Sequence, residues 1–540
     1  MSYKYVIKTF GCQMNYSDSE RMSAFLQNLG LVETNNLENA DLIILNTCSV
    51  RQKAEDRING IVKNIRLSVG NHTKIVITGC MARRSWNDTT KTKSIKYSFQ
   101  KSQRERYEEI LKNFPLVDYV IETKEFTKIG DWLAQIFNKP EWKRENQIDK
   151  PEHYLSFEPK YKSSFQAYVP ISTGCNHFCT FCIVPYSRGK EYCRPATEII
   201  REVFDLVQRG YKDITLLGQT VNRWINNDFK QEFNYNEALT KIDTLNEMPM
   251  SDKDLNKWRK FFQHKLELYN NNKNVNLDNN KSDFFSTVRL KMPRDFLQLL
   301  QVLDQIPGAW WTTWISSHPN YLTEKLIQYV GLSAKNMLYG NFAGHQRPYI
   351  HFALQSGSNK ILKIMNRRYS YEEFYEKVKL IRKYVPEVSI STDIIVGFVN
   401  ETEEDFMLTV KAHQECNFDT IYISEYSPRI GTAAYELKET VDNKTKAKRK
   451  EFLNNILQKS AEIKNSKLLN TITYALIEEY LEKKKILKGK TSHNKDIVLN
   501  IDEKLIPNKS NDELVGKFVE VKINGFTPWA LKGIINKILY

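Results

Sequence analysis

Three cysteines, Cys175, Cys179 and Cys182, fall within eight residues in the stretch Ser172 to Pro195, STGCNHFCTFCIVPYSRGKEYCRP. No fourth Cys stands at a matching distance. This spacing constrains the chain to wrap a loop around a metal centre with three thiolate ligands. A structural zinc site closes its shell with four Cys or His ligands. Iron–sulfur clusters are held by thiolates, and ligand spacing helps to type them. A 4Fe-4S cluster on three Cys leaves one iron open to a small molecule. The alternative is a zinc knuckle with His177 as fourth ligand, but His177 lies between the cysteines and the usual zinc spacing is absent.

Three further cysteines lie far apart in the N-terminal third. The segments Tyr3 to Thr9, Asp41 to Thr47 (with its apolar LIIL), Lys74 to Thr78 and Val117 to Ile121 read as strands. Helical patterns separate them, near Ser17 to Leu29, Val50 to Leu67 and Phe126 to Phe137, the first with Ser17 and Glu20 spaced as a capping box. Such alternation predicts a doubly wound α/β domain. Cys12, Cys48 and Cys80 each follow a predicted strand, in TFGCQMN, LNTCSVR and TGCMAR. The carboxyl ends of parallel strands converge on one crevice, so the three thiols are expected to meet and hold a second cluster. The bland alternative is three buried structural cysteines. Cys193 and Cys416 stand outside both groups and read as structural.

With Phe181 between Cys179 and Cys182, the motif resembles the radical S-adenosylmethionine (SAM) signature, and GCNHFCTFCIVPYSRGKE, GCQMN, NTCSVR and TGCMA resemble the methylthiotransferase family. The resemblance implies two 4Fe-4S clusters, one on Cys175, Cys179 and Cys182 that reduces SAM, and an auxiliary one on Cys12, Cys48 and Cys80 that takes part in sulfur insertion. It places Phe181 near the adenine of SAM. The strand Asp213 to Leu217 ends at Gly218-Gln219-Thr220-Val221-Asn222, similar to the family loop that contacts the SAM amino group. Gln355-Ser356-Gly357-Ser358 resembles the loop approaching SAM, and Asp393 with Ile394 to Phe398 the SAM-binding half. Where the family continues Pro-Gly-Glu-Thr, this chain has Val399-Asn400-Glu401-Thr402. SSHP, containing His318, matches the family, and His318 reads as a structural or substrate-contacting loop residue.

Predicted β-α repeats, starting from the strand Ala167 to Ser172, suggest a partial (β/α)6 barrel, six units being what the resemblance implies. Function at the carboxyl ends of barrel strands is the general rule. The register breaks at 225–292, which has no Gly and is Asn-rich from Asn270 to Asn280. This reads as a surface insertion, partly disordered, with a helix near Lys253 to Leu268. Asn443 to Leu469 reads as a long basic helix with five cations between Lys444 and Lys450, suited to a solvated face or RNA phosphates. From Thr471 short strands suggest a small β-barrel. GKFVEVKI resembles the RNA-binding TRAM domain, with Lys488, Lys490, Lys517, Lys522 and Lys532 as candidate phosphate contacts. The expected organisation is α/β throughout: an N-terminal doubly wound domain (1–140), a linker (141–165), a radical SAM barrel (166–435), a basic helix (436–470) and a TRAM-like barrel (471–540).

Composition agrees with such a partner. The 540 residues carry 79 Lys and Arg against 64 Asp and Glu, a net charge of +15 that suits a polyanion such as tRNA. No run of eighteen apolar residues appears, so no membrane span is expected. MSYKYVIKTF lacks a leader pattern, and eight Cys outside a small disulfide scaffold suit a reducing cytoplasm. The resemblance implies a monomeric tRNA methylthiotransferase acting on carbon 2 of N(6)-isopentenyladenosine at position 37, beside the anticodon. It also implies an electron donor of flavodoxin or ferredoxin type, with the sulfur donor unidentified. The rival substrates are threonylcarbamoyl-adenosine in tRNA and a ribosomal-protein aspartate; a zinc-holding, non-catalytic RNA-binding protein is the rival from another class.

Overall fold

The computed structural model describes residues 2–48, 52–83, 103–143, 154–226, 250–271, 292–337, 342–429, 431–500 and 511–539. The N-terminal part is built from β1 (Lys4–Thr9), α1 (Gln13–Asn28), β2 (Val32–Glu33), β3 (Leu42–Thr47), α2 (Gln52–Val69), β4 (Lys74–Gly79), α3 (Gln103–Asn113), β5 (Tyr119–Val120) and α4 (Ile129–Ile136). The sheet order is β2-β1-β3-β4-β5, with every pairing parallel. β3 is buried at all six positions because helices cover both faces of the sheet. This is the doubly wound domain expected.

Two local expectations fail there. α1 begins at Gln13, so Ser17 and Glu20 lie inside the helix and form no capping box. Ser17 Oγ instead donates to the Tyr168 carbonyl, and Glu20 accepts from the Lys162 amide. The pair holds the sheet domain against the next one. Second, the polar and basic stretch from Arg83 to about Arg106 reads as a loop, yet its last residues open helix α3, whose apolar Ile110 is fully buried. Residues 84–102 of that stretch lie outside the described residues.

The central part contains β6 (Gln166–Pro170), β7 (Ser172–Thr173), α5 (Val184–Ser187), β8 (Tyr192–Cys193), α6 (Ala196–Gln208) and β9 (Asp213–Leu217). It continues with α7 (Asp252–Asn271), α8 (Phe296–Leu303), β10 (Trp311–Trp314), α9 (Glu324–Met337), β11 (Tyr349–His351), α10 (Asn359–Ile364), α11 (Tyr371–Tyr384), β12 (Ser389–Val396), α12 (Glu403–Cys416) and β13 (Thr420–Glu425). Strands β6, β9 and β10 form one parallel sheet and β11, β12 and β13 another. Parallel bridges Thr312–Gln346 and Ser317–Phe352 join them edge to edge. Six parallel strands with helices outside make the partial barrel, its core filled by residues such as Val169, Leu216, Trp314, Phe352 and Ile394. Cys193 and Cys416 are buried in that same core, as structural residues.

The described part of the insertion contains the helix expected near Lys253 to Leu268. α7 spans Asp252–Asn271 and docks on the barrel through fully buried Phe262 and the half-buried Trp258. Half-buried Lys265 donates to the Asp304 carbonyl at 2.5 Å. The Asn-rich segment 272–280 lies outside the described residues.

The basic helix is α13 (Asn443–Ser466), and its cations turn inward as well as outward. Arg449 donates to the Glu401 carboxylate at 2.8 Å, and Lys446 to the Tyr426 carbonyl at 3.1 Å. The closed barrel runs β14 (Ile472–Leu481), β15 (Ile486–Thr491), β16 (Asp496–Asn500), β18 (Ala530–Ile538) and β17 (Phe518–Phe526), β17 pairing back to β14. It seats on the amino ends of the central strands. Arg347, just before β11, donates to the Ser492 and Thr491 carbonyls and to Thr313 Oγ1, and stacks 4.2 Å from the Trp311 ring centroid.

Candidate functional site

Cys12, Cys48 and Cys80 sit just past the carboxyl ends of β1, β3 and β4, which are adjacent in the sheet. Asn15 ties the first two of these ends together, and Thr47 Oγ1, donating to the Thr78 carbonyl at 2.6 Å, ties on the third. Asn15 Nδ2 donates to Asn46 Oδ1 and to the Thr47 carbonyl, both at 3.1 Å, and its Oδ1 accepts from Cys12 Sγ at 3.3 Å. Glycines let the strand ends close. A Cβ on Gly11 would lie 2.6 Å from Cys48 Cβ, and one on Gly79, at φ +88°, would lie 2.2 Å from the Thr47 carbonyl oxygen.

The loop with Cys175, Cys179 and Cys182 leaves the carboxyl end of the barrel. Gly174, at φ +77°, passes so close to the Lys190 backbone that a Cβ would lie 2.2 Å from its oxygen. The Cys175 amide donates to the Gly189 carbonyl, and the Thr180 amide to the Met365 carbonyl, each at 3.1 Å. Burial and the neighbouring Cys179 hold the Cys182 thiol well above its ordinary range. Thiolate ligation therefore requires a strong Lewis acid to displace the proton. Among the described residues no three His, Cys, Asp or Glu side chains are placed to hold a single metal ion. His177, the candidate fourth zinc ligand, stacks flat on His318 at 4.2 Å between ring centroids. Burial first, then nearby Arg223, depresses its pKa to about 3.

The strand ends beside this loop are polar and partly unsatisfied. Ser172 Oγ, Gln219 Oε1 and Ser317 Oγ are buried without a hydrogen-bond partner in the protein. Gly218 approaches within what would be 2.5 Å of Ser172 Oγ if it carried a Cβ. Unsatisfied buried oxygens cost free energy unless a ligand supplies donors. An amino group is such a donor, so this rim fits the head of SAM. Asn222 locks the neighbouring loop: it donates Nδ2 to the His318 carbonyl at 3.0 Å and accepts from the His318 amide at 2.9 Å. His318 is thereby a structural residue of the rim.

The other expected SAM contacts differ in placement. Phe181 is half-buried, edge-on to Phe398. Gln355 adopts φ +72° at the end of its strand. Ser356 is fully buried, its hydroxyl accepting from the Ser358 amide at 3.2 Å, so this side chain is engaged within its own loop. Asp393 lies within β12, not at its end, and pairs with His351 Nε2 at 3.2 Å. Val399-Asn400 preserves the turn: Asn400 takes φ +60°, a conformation Asn tolerates better than most residues.

Two arginines carry no signal in the spacing of the motifs. Arg367 donates Nη1 to Cys179 Sγ at 3.3 Å. Arg188, in the VPYSRG segment, pairs with Asp18 of α1 at 2.8 Å. It thus bridges the radical loop to the N-terminal domain. α5, which precedes it, packs against the turn Cys80–Arg83. The two cysteine groups consequently face one another across the domain junction.

On the closed barrel, Lys517, Lys522 and Lys532 are exposed. Lys522 pairs with Ile534 and Lys532 with Gly525 across β17 and β18. Lys490 is bonded to Asp496, and Lys488 lies 3.8 Å from Glu479.

Two sequence profiles match: the uncharacterized protein family UPF0004 over residues 4–99, and the radical SAM superfamily over 169–244 and 341–412. A tRNA-2-methylthio-N(6)-dimethylallyladenosine synthase of Dictyoglomus thermophilum (strain ATCC 35947 / DSM 3960 / H-6-12) is 33% identical over 98% of this chain and 98% of its own. A protein of the same name from Petrotoga mobilis (strain DSM 10674 / SJ95) is 32% identical over 99% and 100%. Among solved structures, a radical S-adenosylmethionine methyltransferase from Kitasatospora setae aligns with 80% of this chain and 74% of its own. Its identity is 10% and the TM-score 0.44.

Proposed function

From the premise that this chain belongs to the tRNA-2-methylthio-N(6)-dimethylallyladenosine synthase family of radical SAM methylthiotransferases, we propose that it methylthiolates carbon 2 of N(6)-isopentenyladenosine at tRNA position 37. Two 4Fe-4S clusters and SAM supply, when bound, the radical and sulfur chemistry that a base C–H bond requires. In this reading Cys175, Cys179 and Cys182 hold the cluster that binds SAM, and Cys12, Cys48 and Cys80 hold the auxiliary one. The observation that supports the reading is that three cysteines remote in sequence lie just past the ends of adjacent parallel strands, and that α5, which follows the radical loop, packs on the turn beginning at Cys80.

Each group of residues has a separate task. Ser172, Gln219 and the Gly218 backbone bind and orient the SAM head. Phe181 and the Gln355 loop line the adenine side. Asp393 holds His351 in place on the SAM-binding half. Lys517, Lys522 and Lys532 offer phosphate contacts; Lys488 and Lys490, already near carboxylates, are weaker ones. A flavodoxin- or ferredoxin-type carrier delivers electrons, and the protein works as a monomer in the cytoplasm. No described helix is long and apolar enough to cross a membrane.

Mass spectrometry of tRNA nucleosides from cells with and without this gene tests the proposal. Loss of the methylthio-isopentenyl nucleoside, with its unthiolated precursor accumulating, is the expected result. A change confined to the threonylcarbamoyl series would move the substrate. No change in any nucleoside would reject tRNA as the substrate.

A further inference from the structure

Each cysteine group has one half-buried arginine beside it, and the two arginines differ in their partners. Arg367 reaches Cys179 Sγ at 3.3 Å, Tyr369 Oη at 2.8 Å and the Ala353 carbonyl at 3.2 Å. The latter two are neutral, and Tyr369 itself donates to the Ala353 and Leu354 carbonyls. No ion pair joins Arg367 to a carboxylate among the described residues. Asp393, whose charge reaches Tyr369, turns to His351 instead. No described carboxylate bonded to Arg367 cancels its charge at the Cys179 sulfur, and Glu191, whose charge reaches Cys175, is itself paired with Arg223 at 2.9 Å.

Arg188 presents the same group to the other site, and its charge is felt by both Cys12 and Cys80. Here a carboxylate cancels it. Asp18, fully buried, bonds Arg188 at 2.8 Å and accepts a second hydrogen bond from Tyr154 Oη at 3.2 Å. Seen from the N-terminal cysteines the pair is a dipole of zero net charge.

A cluster that gains an electron gains negative charge on its sulfurs, and hydrogen bonds and net charge around the sulfurs set its potential. A charge-assisted N–H···S bond in a dry site strengthens as that charge grows. We infer that Arg367 is a positioning residue that raises the reduction potential of the cluster on Cys175, Cys179 and Cys182, while Asp18 withholds the same effect from the cluster on Cys12, Cys48 and Cys80. The single electron arriving from a low-potential protein carrier then reduces the cluster that meets SAM, and the carrier is oxidised by one electron. The sulfur-inserting cluster stays oxidised. This inference rests on the two-cluster reading above.

The test is a potentiometric titration, followed by electron paramagnetic resonance, of the full chain reconstituted anaerobically. In the triple variant C12A/C48A/C80A only the radical cluster remains. Adding R367Q is expected to lower its midpoint by at least a tenfold change in the reduction equilibrium, 59 mV for one electron, whereas R367K, which keeps the charge, shifts it far less. In the complementary C175A/C179A/C182A background, D18N is expected to raise the auxiliary midpoint. An unchanged midpoint in R367Q overturns the role of Arg367. Should R367Q fail to take up iron, the D18N arm decides: an unmoved auxiliary midpoint overturns the asymmetry. A colourless, iron-free parent protein after reconstitution would instead reject the two-cluster reading.

Discussion

The residues that shape the radical loop are glycines and asparagines as much as cysteines. Gly174 combines φ +77° with a backbone contact that no Cβ can share. Gly174→Ala is expected to impose about 1–3 kcal/mol of local strain and to at least halve the iron bound in the C12A/C48A/C80A background. Iron per chain, with circular dichroism to confirm folding, checks it; full iron loading would show that the loop does not need this geometry. Asn400 makes the milder case. Its φ of +60° predicts that Asn400→Gly leaves stability nearly unchanged and that Asn400→Ala costs about 1 kcal/mol, measured by denaturant titration. The two groups of three cysteines proposed to hold clusters could be picked out in the sequence because ligand spacing and strand ends are local patterns. Arg367, Arg188 and Asn366 were not. Asn366 bonds the Phe178 carbonyl at 3.0 Å, nearly two hundred residues away along the chain, and nothing near it in the sequence announces this.

At the scale of elements, the junction between the closed barrel and the central strands is held by polar contacts. Arg347 there lies 4.0 Å from Asp213 and donates to backbone carbonyls of the β15–β16 turn. Removing it leaves the Ser492 carbonyl without this donor and the buried Asp213 carboxylate without its nearby cation, so Arg347→Ala is expected to cost about 3–5 kcal/mol. Differential scanning calorimetry should then show the closed barrel melting as a separate, earlier transition. Glu478, at the bulge of β14, faces the same junction. Burial pushes its carboxyl up to about 7, against the pull of Lys490 and with the Asp213 charge adding to the rise. The folded state thus holds this proton more tightly than the unfolded one. Its contribution is full below the ordinary value of 4.5 and is lost as pH rises through about 7. Glu478→Gln is expected to flatten stability across that window and to gain about 1–2 kcal/mol at pH 8. An unaltered pH profile of the melting temperature would count against a titrating Glu478. On the outer face of the same barrel, K522A/K532A is expected to weaken tRNA binding and to reduce the salt slope by about 0.9 for each phosphate that the lysines neutralise in the parent protein. An unchanged slope would mean that neither lysine meets a phosphate.

Over the whole molecule, the two cysteine groups lie at carboxyl ends of strands and the closed barrel at the opposite, amino ends. A partner that touches both must extend along the side of the central barrel, which suits a folded polynucleotide and not a free nucleoside. The cysteine groups come from separate sheets with separate hydrophobic cores. Iron loading should accordingly be independent. C12A/C48A/C80A and C175A/C179A/C182A are each expected to keep about half of the parent iron, since each retains one four-iron cluster. Loss of nearly all iron from either variant would show that the two sites assemble together.

The sequence by itself determined the architecture, the six cysteines and the course of the basic and β-rich C-terminal segments. Periodicity, strand-end position and ligand spacing are properties of short windows, and such windows persist whatever surrounds them. Only the tertiary structure decided what the charged residues do. Ser17 and Glu20 have the spacing of a helix cap, yet they join two domains. Arg449 belongs to a run of cations, yet it is bonded to Glu401 in the interior. The helix α7, flanked by Asn-rich sequence, is fixed by Phe262 and Lys265 against a barrel remote from it in the chain. A side chain's charge is encoded locally, but its partner is chosen by packing between segments far apart. Desolvation then fixes whether that charge meets water, an ion pair or a thiolate.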